Sequence, residues 1–175
     1  NKNLGKLNID LKNKFIIAIY SNTFYDYPHA LGMTRFVDVL DWIKSTINKA
    51  AQNKSVIWLI KPHPLDEWFG TIKLRDVLNQ KLPENIILLP YNYSGKEIIE
   101  RADALVTHHG TAAIEFAAMG KPVLVADKGW FHDYGFVVFP NSKEKYLELI
   151  EKEWYKSINI KTKQTNAKIF AGIQY

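Results

Sequence analysis

The 175-residue chain predicts an α/β domain built around a doubly wound parallel β-sheet. Short apolar runs alternate along the sequence with stretches of helical periodicity, which is the element order of a parallel sheet with crossover helices. The runs are continuously apolar rather than alternating, as is typical of strands that are buried on both faces. We therefore expect a Rossmann-like domain over residues 14–140, preceded by a linker over 1–13 and followed by C-terminal helices over 141–175.

The spacing of apolar residues predicts the elements in order. The strands are predicted over 14–21, 55–60, 85–89, 104–107 and 122–126, with a short extended segment over 136–139. The helices are predicted over 36–50, 71–79, 94–102, 111–119, 142–155 and from about 162 onward. The first strand ends at a polar turn that begins with Ser21, and the second ends where Pro62 and Pro64 remove ladder donors. Gly120 stops the fourth helix and Pro122 opens the last strand.

Composition limits the classes of function. The net charge of +5 favours anionic partners such as phosphates and nucleotides. The lysines are scattered rather than grouped with aromatic residues, so the pattern is not that of a nucleic-acid-binding protein. The chain contains no cysteine, which excludes disulfides and thiolate metal sites and fits a reducing compartment. No apolar run approaches the roughly 20 residues of a membrane span. We expect a cytoplasmic location, with peripheral association with the inner membrane as an option.

The strongest local signal is the segment 104–115, in which a strand, a small polar turn and a helix follow one another. Ligands of parallel sheets bind at the carboxyl ends of strands, and this turn lies at such an end. Gly110 would let the backbone approach a ligand, and the Thr111 hydroxyl would cap the helix or contact an oxyanion. A helix start also offers unpaired N–H donors, so we expect a phosphate to bind there.

Glu115 is the most informative side chain of this segment. Its neighbours from Ala112 to Met119 are otherwise all apolar, so we expect the helix to be buried nearly all round. A buried carboxylate needs partners, because leaving it unpaired is costly. Glu115 lies one turn after Thr111 on the same face. We interpret it as the ligand of two ribose hydroxyls, and the alternative is a structural acid paired with a lysine or with backbone donors.

Other candidates follow other strands. His63 lies between two prolines and is expected to donate to a phosphate or carboxylate, with Lys61 as a further candidate to stabilise a phosphate. The alternative for His63 is a turn histidine packed against neighbouring loops. Of His108 and His109, one is expected to point into the core; His109 is the substrate-binding candidate, and the alternative for each is again a histidine packed against neighbouring loops. Asp26, after the first strand, either contacts substrate or bonds its own turn. Because no carboxylate completes a ligand set with the paired histidines, we expect a site without metal.

These motifs together resemble a known family. The segment Lys61-Pro62-His63-Pro64, the run 102–111, Glu115 and Gly120-Lys121-Pro122-Val123 are similar, in order and spacing, to the capsule polysaccharide biosynthesis proteins, which include Kdo transferases. The similarity covers about residues 14–139. It implies a GT-B architecture of two Rossmann-like halves, in which this chain is the C-terminal, donor-binding half.

The resemblance also implies roles for individual residues. His63 would contact the donor nucleotide or its phosphate, the helix start at Gly110 and Thr111 would face phosphate, and Glu115 would face the ribose. The Gln-Glu motif of the Kdo enzymes is absent here. We expect that motif and the catalytic base in a separate N-terminal half. The start at Asn1 instead of methionine suggests an excised fragment or a processed product.

We therefore predict the donor-binding domain of a bacterial surface or capsular polysaccharide glycosyltransferase that works without metal and is inactive alone. The expected ligands are a nucleotide-sugar, with a CMP-linked sugar as one candidate, and a glycan or glycolipid acceptor. No separate cofactor and no nucleic acid are expected. The alternatives on the same scaffold are a sugar-nucleotide epimerase and a teichoic-acid-type glycerophosphotransferase domain. A further alternative is a non-catalytic nucleotide-binding module.

Overall fold

A computed structural model describes residues 14–24, 35–69, 72–78 and 81–174. The strands are β1 Phe15–Tyr20, β2 Val56–Lys61, β3 Ile86–Leu88, β4 Ala104–Thr107 and β5 Val123–Val125. The α-helices are α1 Val39–Ala50, α2 Asp66–Phe69, α3 Leu74–Val77, α4 Gly95–Arg101, α5 Ala112–Ala118, α6 Lys143–Glu151 and α7 Ile160–Gln174. Two 3₁₀ turns, His132–Tyr134 and Trp154–Ser157, complete the described elements.

The five strands form one all-parallel sheet in the order β3-β2-β1-β4-β5, which confirms the predicted fold class. The chain runs outward from β1 to β3 and then crosses back to β4 on the other side of β1. The strand order therefore reverses between β1 and β4, where Tyr20 is paired with Thr107 at the carboxyl ends. In open parallel sheets this reversal opens a crevice between loops that leave in opposite directions.

Helices cover both faces of the sheet because successive strand residues point to opposite sides. Ile17 and Ile19 of β1 belong to the apolar cluster beneath α1 and α6. Ile16 and Ala18 belong to the cluster beneath α4, α5 and α7. All four are buried, which explains why the strand reads as a continuous apolar run.

Two predicted helices differ from the structure. The helix predicted over 71–79 is shorter in the structure, where α3 spans Leu74–Val77, and the separate one-turn helix α2 before it was not predicted. The buried Asp66 carboxylate accepts from the Leu74 N–H at 3.0 Å, so the first residue of α2 supplies a partner for the start of α3. The helix predicted over 142–155 ends at Glu151 and continues as a 3₁₀ turn. This break lets the neighbours Trp154 and Tyr155 both be buried.

The remaining elements agree with the predicted pattern to within a few residues. The final helix begins at Ile160, two residues before its expected start. The extended segment over 136–139 pairs with β5 through a single parallel bridge between Leu124 and Val138. Trp42 of α1 donates to the Tyr146 hydroxyl of α6 at 2.9 Å inside the core, which ties the first helix to the sixth. Within the described residues, no helix is both long and apolar enough to cross a bilayer.

Candidate functional site

A cleft of about 430 Å³ opens at the carboxyl edge of the sheet, between the loops that follow β1, β2 and β3 and the start of α5. Four of the residues predicted from the sequence line it together: Lys61, His63, Thr111 and Glu115. His109 and Gly110 lie in the turn after β4 and are not among the lining residues. Asp26 lies outside the described residues, so its predicted role stays a prediction.

Lys61 forms part of the cleft as the last residue of β2. Its side chain is only 8% exposed, and Nζ donates to the Tyr91 carbonyl at 2.6 Å. Burial lowers the pKa of the Lys61 ammonium because removal from water disfavours the charged form. Among the residues that the structure describes, no carboxylate lies within ion-pair distance of Lys61. The cleft therefore contains a desolvated cation whose charge is not balanced by those residues.

His63 is oriented by bonds on both its backbone and its ring. Its N–H donates to the Ser21 hydroxyl at 3.1 Å, which links the loop after β2 to the turn after β1. Its ring Nδ1 accepts from the Leu65 N–H at 3.3 Å. A neutral imidazole carries one hydrogen, so this bond puts the hydrogen on Nε2. The ring is thereby set up as a hydrogen-bond donor through Nε2.

Glu115 is exposed, and the prediction of a helix buried nearly all round is wrong. Phe116 and Ala117 of α5 are buried, whereas Thr111, Glu115 and Met119 form an exposed stripe at a spacing of four residues. The small side chains of α5 made the sequence look core-like, but composition alone does not show which stripe lacks a packing partner. The Glu115 carboxylate therefore lines the cleft without the cost of full desolvation.

Tyr20 lies beside this carboxylate and was not predicted as a site residue. Its hydroxyl donates to the Gly95 carbonyl at 3.5 Å, and its ring packs edge-on against Phe116. Burial, and then the nearby charge of Glu115, raise the pKa of the Tyr20 phenol. Tyr20 is therefore a neutral donor at neutral pH. The signal that could have found it is positional, since it is the last residue of the central strand.

Ser21 and the segment from Tyr91 to Tyr93 were also missed as cleft residues. They follow β1 and β3, so they lie at the carboxyl edge of the sheet, where the other candidates were predicted. They carry no recognisable motif, so the order of the strands is needed to bring them beside Lys61. The wall opposite α5 is therefore a product of sheet topology rather than of local sequence.

The start of α5 is built differently from the expectation. Thr111 has helical backbone angles and its side chain makes no capping bond, so the predicted cap is wrong. The Ala113 N–H donates to the Gly110 carbonyl, and the Ile114 N–H donates to the Thr111 carbonyl. The hydroxyl of Thr111 lines the cleft, and phosphate binding at this helix start stays a prediction.

Gly110 is required by a close approach within the turn. Its N–H donates to the Thr107 hydroxyl at 3.3 Å, and a Cβ at this position would lie 2.9 Å from that oxygen. Thr107 is buried, and its hydroxyl also donates to the Tyr20 carbonyl across the strand pair. The glycine therefore serves the packing of the β4 turn against β1.

Gly110→Ala is expected to lower the free energy of unfolding by about 1–3 kcal/mol, the usual cost of forcing an extra group into a packed site. Urea denaturation of both chains would measure it. Gly172→Ala is the matched control, because a Cβ there has no neighbour within 4 Å. In the α7 helix that change is expected to be neutral or stabilising by about 0.5–1 kcal/mol. Equal effects of the two changes would contradict the packing role of Gly110.

The two histidines after β4 have different surroundings. His108 is fully buried and packs edge-on against Trp42, with ring centroids 5.3 Å apart, which confirms that one of the pair points into the core. Burial, and then its neighbour His109, lower the pKa of His108 to about 3, so this ring is neutral. His109 is partly exposed and bonds Asn22 in the turn after β1. The pair thus spans the reversal point of the sheet.

Within the described part of the chain, no three histidine or acidic side chains are grouped as a metal site. The expectation that the site works without metal stays a prediction.

The family model described as CDP-Glycerol:Poly(glycerophosphate) glycerophosphotransferase matches residues 2–152. No curated protein matches the sequence. The similar solved structures are GT-B glycosyltransferases, in agreement with the expected architecture.

Three of these structures illustrate the likeness. The β-Kdo 2,4 transferase KpsC of Thermosulfurimonas dismutans has a TM-score of 0.60 at 14% identity, over 83% of this chain and 46% of its own. HepE of Anabaena in complex with UDP-glucose has a TM-score of 0.58 at 15% identity, over 91% and 44%. The wall teichoic acid polymerase TagF, soaked with CDPG, has a TM-score of 0.55 at 12% identity, over 91% and 37%. The chain thus spans less than half of each.

Proposed function

The chain belongs to the CDP-glycerol:poly(glycerophosphate) glycerophosphotransferase family, and from that premise we propose that its cleft binds the nucleotide end of CDP-glycerol. In this proposal the chain is the donor-binding domain of a transferase that moves glycerophosphate onto a growing polymer. The sequence motifs had favoured sugar transfer and kept glycerophosphate transfer as an alternative. The family match, which covers most of the chain, reverses that order.

The observation that carries the proposal is the buried cation of Lys61. A desolvated ammonium that no described carboxylate balances is stabilised most effectively by an anion that enters the cleft. The diphosphate of CDP-glycerol is such an anion, and the surrounding cleft is open to solvent. A neutral ligand would leave the charge unbalanced.

Two further side chains complement a diphosphate. His63 offers an Nε2–H donor, and the Thr111 hydroxyl is not used to cap α5. Both line the cleft with Lys61. Hydrogen bonds from such donors to a phosphate oxygen are charge-assisted, and they are therefore stronger than neutral ones.

Glu115 is the candidate ligand of the ribose. A carboxylate accepts from two neighbouring hydroxyls at once, and Glu115 is exposed, so it needs no buried counter-ion. It lies in the same cleft as the phosphate donors, on the α5 side. This arrangement retains the role that the sequence suggested for Glu115 while discarding the burial from which the role was argued.

The proposed reaction gives Lys61 and His63 a role in stabilising the leaving group. The acceptor hydroxyl attacks the phosphorus that carries glycerol, a new O–P bond forms, and the bond from that phosphorus to the bridging oxygen breaks. CMP leaves with the bridging oxygen, and the acceptor proton passes to a base. Lys61 and His63 would stabilise the negative charge that develops on the departing phosphate. We place the base, and the binding of the polymer or glycolipid acceptor, in a second half of a GT-B enzyme.

Sugar transfer is the second candidate, favoured by the fold likeness to KpsC and to HepE, whose crystal contained UDP-glucose. The two reactions differ in their products. Glycerophosphate transfer leaves glycerophosphate on the acceptor and releases CMP. Sugar transfer leaves a sugar on the acceptor and releases a nucleoside diphosphate, or CMP where the donor is a CMP-linked sugar. In either case we propose that catalysis takes place in the cytoplasm, against a membrane-associated acceptor, and that the 175-residue chain does not turn over alone.

Calorimetric titration of the chain with CDP-glycerol, CDP, UDP and GDP tests this proposal. We expect CDP-glycerol and CDP to bind more tightly than UDP and GDP, with the same affinity in EDTA as in Mg²⁺. Tighter binding of UDP or GDP would contradict the cytidine donor, and a requirement for Mg²⁺ would contradict the metal-free site. Transfer by the chain alone would contradict the division of labour between two halves.

A further inference from the structure

Three side chains, one amide and two imidazole rings, are joined in a row by their nitrogen atoms across the reversal point of the sheet. Asn22 Nδ2, in the turn after β1, is 3.4 Å from His109 Nε2. His109 Nδ1 is in turn 2.5 Å from His108 Nδ1. His108 is fully buried, and among the described residues its Nε2 has no hydrogen-bond partner. The row therefore leads from the crevice into the core.

The chemistry of the end groups sets the direction of each bond. An amide nitrogen only donates, so His109 Nε2 accepts from Asn22 and carries no hydrogen. The single hydrogen of a neutral His109 is then on Nδ1, from which it donates to His108 Nδ1. His108 in turn carries its hydrogen on Nε2, inside the core. Burial keeps the pKa of His108 low, so this ring stays a neutral acceptor and the order of the bonds is not reversed by its protonation.

We propose that His108 is a positioning residue that holds His109 in the Nδ1–H tautomer, so that His109 offers the crevice a hydrogen-bond acceptor. His63 has the opposite form, because its Nδ1 is occupied by the Leu65 N–H and its Nε2 is the donor. The carboxyl edge of the sheet thus carries two histidines of opposite hydrogen-bonding character, on the loops after β2 and β4.

Because of this difference, the two histidines are expected to bind different groups of the ligand. This part of the inference rests on the proposed function. A deprotonated phosphate oxygen needs a donor, which His63 provides. The Nε2 of His109 carries no hydrogen, so its lone pair would repel such an oxygen. This nitrogen can instead accept a hydrogen bond from a ligand hydroxyl that displaces the Asn22 amide. Because Glu115 takes the hydrogens of both ribose hydroxyls in the proposed function, we assign His109 to a hydroxyl group of the glycerol.

Long-range ¹H–¹⁵N correlation spectra of the ¹⁵N-labelled chain test the tautomers without any ligand. At a pH where histidine is neutral, we expect His109 to be protonated at Nδ1 and His63 at Nε2. His63 serves as the internal reference of the opposite tautomer. An Nε2–H form of His109 in the wild-type spectrum would overturn the proposal, and this measurement needs no variant to fold.

His108→Phe then tests the cause. Phenylalanine keeps an aromatic ring against Trp42 and removes the acceptor. We expect the His109 signals to move toward the Nε2–H form, with the His63 signals unchanged. A His109 that stays fully in the Nδ1–H form in this variant would show that His108 does not position it.

The ligand part is tested by calorimetry of His109→Phe with CDP and CDP-glycerol. A loss of about fivefold, the size of one neutral hydrogen bond, is expected for CDP-glycerol, with the affinity for CDP unchanged. A loss for both ligands would contradict the glycerol assignment. Unchanged affinity for both would overturn the assignment. If the wild-type chain bound neither ligand, the proposed function would fail while the tautomer result would stand.

Discussion

Lys61→Met is expected to weaken the binding of CDP by about 10- to 100-fold, the range that one charge-assisted hydrogen bond corresponds to. Methionine fills a similar volume at the end of β2 and removes the cation. The Tyr91 carbonyl loses its donor, but the desolvation of a buried charge is also relieved, so we expect a change in unfolding free energy of at most about 1–2 kcal/mol. Calorimetry for affinity and urea denaturation for stability separate the two effects.

Lys54→Met provides the matched control. Lys54 is an exposed lysine just before the same strand, at the opposite edge of the sheet from the cleft. The two variants change the net charge of the chain equally, so a general electrostatic effect on an anionic ligand would appear in both. Equal affinities of the two variants for CDP would show that Lys61 does not contact the phosphate.

The pH dependence of binding gives an independent check on Lys61. Its pKa in the free protein lies below the ordinary 10.5, because burial disfavours the ammonium. A bound anion favours the charged form and raises that pKa. The affinity for CDP is therefore expected to fall as the pH rises through the lowered pKa toward 10.5, where the free protein has lost the proton. Lys61→Met should lack this decline, and an identical decline in the variant would assign it to another group.

Glu115→Gln is expected to weaken the binding of CDP by about tenfold, since a charged acceptor of two ribose hydroxyls becomes a neutral amide. Because Glu115 is exposed, the melting temperature should stay unchanged. The decisive comparison uses 2′,3′-dideoxy-CDP, which lacks both hydroxyls. The variant should bind this analogue as the wild-type chain does, because the interaction that the substitution removes is already absent.

Glu84→Gln is the control for this substitution. Glu84 is also exposed, but it lies two residues before β3, at the amino edge of the sheet. It should bind CDP as the wild-type chain does. If Glu115→Gln weakened CDP and the dideoxy analogue to the same extent, Glu115 would act on the phosphates or on the fold and not on the ribose.

The sequence by itself determined the architecture and the edge of the sheet that carries the site. Strands buried on both faces are apolar at nearly every position. The continuous apolar run from Phe15 to Tyr20 therefore predicted such a strand. The carboxyl ends of such strands converge in any parallel sheet, so Lys61, His63 and Thr111 could be assigned to one edge before their contacts were known. Local geometry also sufficed for Gly120, whose φ of 75° ends α5.

Only the tertiary structure decided how these side chains are paired and how they are exposed. Glu115 looked buried because its neighbours are apolar, but the stripe that it shares with Thr111 and Met119 is exposed in the folded chain. The hydrogen-bond partner of Lys61 is the carbonyl of Tyr91, which lies 30 residues away along the chain. Burial and hydrogen bonding depend on contacts between segments that are distant along the chain. A local sequence pattern can therefore identify a candidate residue, but it does not show whether that residue is buried or which groups it bonds.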